Sequence, residues 1–85
     1  MTVAEEIERR LTEALSPTAL TVINESHQHQ GHLGDDGSGE SHFAVEIAAP
    51  TLAGKSRVER QRAVYAALGD LMTKRIHALR IKAEG

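Results

Sequence analysis

Five histidines and no cysteine frame the chemistry open to this 85-residue chain. Four of them, His27, His29, His32 and His42, fall in the stretch "NESHQHQGHLGDDGSGESHF" at residues 24–43, and the fifth is His77. A neutral imidazole nitrogen binds metal well. One iron of an iron–sulfur cluster accepts two histidines when thiolates hold the other. This chain has no thiolate to give, so it can complete only part of such a centre, and the sulfur ligands must come from a partner. The run "HQHQGH" also suits Zn, Ni or Cu, which leaves a histidine-loop metal carrier acting alone as a further reading. His42 is in phase with Ala44 and Glu46 and opposite Phe43, the pattern of a satisfied surface or edge histidine. His77 sits among apolar residues, and from pattern alone it reads as a buried histidine bonded to backbone at the start of a strand.

Other chemistries find less support. Asp35, Asp36 and Glu40 miss the spacing of a calcium loop. No nucleophile stands with a base, and the serines fall in turns and caps, so the chain is expected not to be an enzyme. Its net charge of −2 hides an asymmetry: residues 1–50 carry two basic groups against nine acidic ones, and residues 51–85 carry eight against three. A solvated surface accounts for such charge, and so would attraction of an acidic partner or nucleic acid. Lys55, Arg57, Arg60 and Arg62 gather where a helix should begin, a place that favours phosphate. Arg60 and Arg62 point about 160° apart around that helix. Phe43 and Tyr65 are assigned to the core, which removes the aromatics a single strand would stack on.

The elements that must position these groups follow from local patterns. Thr2 to Glu5 forms a capping box, and Val3, Ile7, Leu11 and Leu15 draw one apolar stripe that ends at Ser16-Pro17. "ALTVI" (19–23) and "HFAVEIA" (42–48) read as strands joined in an antiparallel hairpin by a long, flexible His/Gly-rich loop at 26–40. "APTLAGK" is a turn or single helical turn between Pro50 and Gly54. A second capping box, Ser56 to Glu59, opens a long helix predicted to run to about Thr73, with Val58, Val64, Tyr65, Leu68, Leu71 and Met72 facing the core. Gln61 lies within that apolar arc and should hydrogen-bond a neighbour. "IHALRIKA" (76–83) is a last strand, parallel to the hairpin through a right-handed crossover. The expected fold is an α/β (α+β) two-layer sandwich of order α-β-β-α-α-β, with a three-stranded mixed sheet and helices on one face, in a single domain spanning 1–85. No apolar run is long enough to span a membrane, and the N-terminus is not signal-like, so a cytoplasmic protein is expected.

In the order and spacing of "NES" (24–26), "GESHF" (39–43), "GKSRVERQR" (54–62) and "IHALRIKA" (76–83), the chain resembles the BolA family over nearly its whole length. The resemblance implies a fold similar to a type II KH domain without its GXXG loop, and no GXXG occurs in the crossover. It implies a partner, a monothiol glutaredoxin, with which such proteins form cluster-free complexes or share a [2Fe-2S] cluster held also by glutathione. No cofactor is expected on the isolated chain, which would be a monomer or weak homodimer. Carried over by position, the resemblance makes His77 the fixed ligand and His29 the loop ligand, followed by His27 and then His32. Some bacterial members are DNA-binding regulators of stress, morphology or biofilm genes, which would engage Lys55, Arg57, Arg60 and Arg62. Two positions depart from the family pattern: Gln61 stands where a histidine is usual, and Leu52 where an aromatic is usual.

Overall fold

A computed structural model describes residues 2–26 and 41–85. Helix α1 (Val3–Leu15) begins at the expected capping box. The Glu5 N–H donates to Thr2 Oγ1 at 3.1 Å and the Thr2 N–H to Glu5 Oε1 at 2.9 Å. The helix ends where Ser16 turns left-handed at φ 47° and donates its N–H to the Thr12 carbonyl, just ahead of Pro17. Strand β1 (Ala19–Asn24) pairs antiparallel with β2 (His42–Ala48), with Ile23 opposite Ala44 and Val22 opposite Val45. A single 3₁₀ turn (Pro50–Leu52) leads to α2 (Arg57–Leu68), a short α3 (Leu71–Lys74) and β3 (Ala78–Glu84). Strand β3 runs parallel to β2 and completes a sheet of order β1-β2-β3. This is the mixed three-stranded sheet that the crossover rule predicts.

The core lies between one face of the sheet and the helices. Val3, Ile7 and Leu11 of α1 meet Phe43, Val45 and Ile47 of β2, with Val64, Leu68 and Leu71 closing the cluster. Burying an apolar side chain of this size contributes about 1.5–3 kcal/mol, so this face of β2 carries much of the folding energy. Leu20 and Val22 on β1 and Leu79, Ile81 and Ala83 on β3 pack against it from the sides.

Two expectations about the long helix need correction. It stops at Leu68, because Gly69 takes φ 54° and ψ −126° and its N–H closes on the Tyr65 carbonyl. The cause lies on α1: Arg10 Nη1 donates to the Leu68 carbonyl at 2.7 Å and to Asp70 Oδ1 at 2.8 Å, satisfying the end of α2 from outside the helix. Moreover, the face of α2 that packs inward is rotated toward Ala63 and Ala67, both half-buried against the core. Val58 and Tyr65, predicted inward, are 57% and 40% exposed. A wheel drawn through Leu71 and Met72 as though α2 continued past Gly69 carries the wrong phase. The last strand is likewise shifted: it starts at Ala78, leaving His77 just outside it.

Candidate metal-ligand site at the base of the histidine segment

The site is built where β1 ends and β2 and β3 begin. Asn24, Glu25 and Ser26 each do a different job there. The Asn24 side-chain oxygen accepts from the Ser26 N–H at 2.9 Å, folding the chain over the strand end. Ser26 Oγ then accepts two N–H groups from across the hairpin, Ser41 at 2.8 Å and His42 at 3.0 Å. Between them, Glu25 donates its N–H to the His42 carbonyl at 2.7 Å. Its carboxylate receives Arg80 in a fork, Nε to Oε1 at 3.0 Å and Nη2 to Oε2 at 2.5 Å. That geometry is the stronger form of ion pair, and the hydrogen bond to Glu25 raises the Arg80 pKa above its ordinary value. Because Arg80 is the register partner of Ala44, the pair spans β2 on the sheet's outer face.

Ala44 and His42 are buried on that face. The expectation of a surface or edge histidine at 42 therefore gives way to a residue that is only 7% exposed, with Nδ1 at 2.8 Å from Ser41 Oγ. His77, by contrast, is exposed. Its N–H donates to the Ser41 carbonyl at 2.7 Å, and its ring stacks against His42 with centroids 6.2 Å apart and planes 25° from parallel. This spacing is within the range of an offset stack. The parallel register His42↔Ala78 is what brings the two rings to the same end of the sheet.

His27, His29 and His32 lie outside the described residues. His77 stands at the point where the chain leaves for their segment and returns from it, since Ser26 and Ser41 flank that segment and Ser41 bonds His77. Among the described residues no group of three or more histidine, cysteine or acidic side chains is placed to hold a metal. Among the described residues the donors would fit only part of a shared centre: one exposed imidazole beside a buried, hydrogen-bonded one, so that any thiolate ligand would have to come from another molecule.

The second candidate region is at the other end of β3. Arg57, Arg60 and Gln61 of α2 face Ile81 to Glu84 across a cleft of about 290 Å³. Arg60 is committed to the fold: Nε donates to the Leu52 carbonyl at 3.1 Å and Nη1 to that of Ala83 at 3.4 Å. Lys55, Arg57 and Arg62 are exposed. Gln61 is half-buried and lines the cleft rather than the centre of the core. Tyr65 is on the surface, so the reading that both aromatics are internal holds only for Phe43. Ser26, Ser41 and His42 are the site residues that pattern reading missed; their signal was only that short polar residues cluster where two strands end.

A small mixed sheet covered by helices on one face, with a clamped hairpin mouth and an exposed imidazole beside it, defines an α+β domain. A family model for the BolA-like protein matches residues 11–85, and the chain belongs to the BolA family. It is 48% identical over 83 residues to "Uncharacterized protein in cobS 5'region" of Sinorhizobium sp, covering 96% of this chain and 89% of that one. It is 33% identical over 79 residues to the DNA-binding transcriptional regulator BolA of Escherichia coli (strain K12), covering 93% and 71%. Among solved structures, the BolA domain of SufE1 from Arabidopsis thaliana superposes with a TM-score of 0.86 at 34% identity, covering 99% of this chain and 92% of that one.

Proposed function

We propose that this chain is a non-enzymatic binding module that pairs with a monothiol glutaredoxin and shares a bridging [2Fe-2S] cluster with it, in cytoplasmic cluster trafficking and iron homeostasis. His77 would be the fixed ligand and a histidine of the 27–32 segment the second, His29 before His27 and His32. The observation that carries the reading is the exposed His77 imidazole stacked on a buried, hydrogen-bonded His42 in a chain that has no cysteine. When bound, the cluster would supply the transferable iron and sulfide; this chain's part is to offer neutral imidazole nitrogen from a rigid base. The glutaredoxin cysteine and glutathione would supply the thiolates. Titration of cluster-loaded glutaredoxin with this protein, followed by visible circular dichroism, tests the reading. A new spectrum is expected with the wild-type chain; no change on titration, or a His77→Ala variant that behaves like wild type, would sink it.

A second reading is favoured by a separate observation. Lys55, Arg57 and Arg62 are exposed around the start of α2, with Tyr65 exposed further along the same helix, and the similar Escherichia coli protein carries the name of a DNA-binding regulator. On this reading the basic end of α2 contacts phosphate, and binding weakens steeply with salt. Absence of DNA binding even at low salt excludes it.

A further inference from the structure

We propose that Ser41 is the positioning residue of the site: its hydroxyl, acting through His42, sets the orientation of the His77 imidazole before a partner arrives. The inference rests on the reading of His77 as a ligand, and it goes beyond that reading by saying what makes an exposed side chain a prepared one.

Ser41 is fully buried, and each of its polar groups is directed to this site. Its N–H is held by Ser26 Oγ at 2.8 Å. Its carbonyl accepts from the His77 N–H at 2.7 Å and from the Ala78 N–H at 3.3 Å, fixing the His77 backbone at the mouth. Its hydroxyl lies 2.8 Å from His42 Nδ1 and so holds the plane of a ring on an already buried residue. His77 stacks on that ring. A surface histidine otherwise turns freely about two side-chain bonds, and ordering it on binding opposes association. A fixed ring alongside removes part of that cost in advance. Ligand-orienting partners one shell out from a metal typically change affinity by about 10–100-fold when lost. Here the orienting contact is a stack rather than a hydrogen bond, so the lower end of that range is expected.

Ser41→Ala removes only the hydroxyl and leaves the backbone bonds to Ser26 and His77 in place. The first readout is proton NMR of the protein alone. Wild type should show through-space contacts between the His42 and His77 rings; S41A, with an otherwise unchanged amide spectrum, should lose them. The second is the affinity for cluster-loaded glutaredoxin, expected to fall about tenfold in S41A. His42→Phe makes the same test from the other side, because it keeps a flat ring but has no nitrogen for the hydroxyl, and it carries the test if S41A does not fold. Ring contacts that persist in S41A, or in H42F between Phe and His77, would overturn the proposal whatever the partner does. If wild type shows ordered rings that S41A loses, yet no cluster complex forms, the ligand reading fails while the positioning of His77 by Ser41 stands.

Discussion

The two ends of β3 present opposite solutions to placing polar groups on a small domain. At its start, Ser26, Ser41, His42, Glu25 and Arg80 bond one another, and the imidazole of His77 is offered outward. At its end, Arg57 and Lys82 line an open cleft and Arg60 spends its guanidinium on two carbonyls. A metal ligand requires fixed geometry, whereas phosphate attraction requires only charge near a surface. The first end has the ordered construction that the proposed ligand site would need; the second has only the exposed charge that the proposed DNA contact would need.

The largest expected effect is therefore a separation of functions. His77→Ala should abolish the spectral response to cluster-loaded glutaredoxin, and the pair Arg57→Ala, Arg62→Ala should leave it within error. DNA retention at low salt, if present, should show the converse pattern. His77→Ala should also leave stability within about 0.5 kcal/mol, because the side chain is exposed. One variant that removes both responses would erase the distinction between the two ends.

Next in size is the latch itself. Ser26→Ala leaves the N–H groups of Ser41 and His42 without their hydroxyl acceptor in a buried setting. An orphaned buried donor costs about 1–3 kcal/mol. Urea denaturation should show a loss of about 2–3 kcal/mol, whereas Arg60→Ala at the other end should lose about 1 kcal/mol, since its two carbonyl acceptors lie nearer water. Equal losses would mean that the two ends are equally committed.

Smaller again is the acid response, which is not specific to either end. The Glu59 carboxyl lies below its ordinary value because the Ser56 N–H and hydroxyl bond it, and Asp70 lies low because Arg10 and then Lys74 bond it. A depressed folded value means that the unfolded chain binds the proton more readily. This stability is thus complete above the ordinary carboxylate range near about 4 and fades as pH falls through the lower folded values. Asp70→Asn should flatten that acid limb in a pH series of thermal melts, and an unchanged limb would remove Asp70 from the account.

What the sequence made legible was whatever depends on neighbours in the chain. The alternation of Phe43, Val45 and Ile47 gave β2 its span, and Ser56 with Glu59 marked the start of α2. The end of α2 depends on Arg10, 58 residues earlier than the carbonyl it satisfies, and no local window contains both. His42 was misplaced for the same reason. Its parity puts it on the outer face, and its burial there with Ala44 depends on neighbours distant in the chain. Family resemblance singles out His77 as a candidate ligand, but its stacking partner was not legible, because residues 42 and 77 become neighbours only through the parallel register of β2 and β3.

The smallest effect tests the corrected face of α2. Val58 and Tyr65 are exposed, and Arg62 precedes Tyr65 by three positions, which puts those two side chains near one side of α2. Val58→Ser and Tyr65→Ser should each change stability by no more than about 0.5 kcal/mol, as surface substitutions do, while Val64→Ala should cost about 1–2 kcal/mol from the same helix. A core position for Val58 or Tyr65 would show the larger loss. If Tyr65→Ser also lowers retention on single-stranded DNA without touching the glutaredoxin response, the basic end gains the aromatic platform that stacking on bases requires, and the two ends of β3 would then separate by partner as well as by construction.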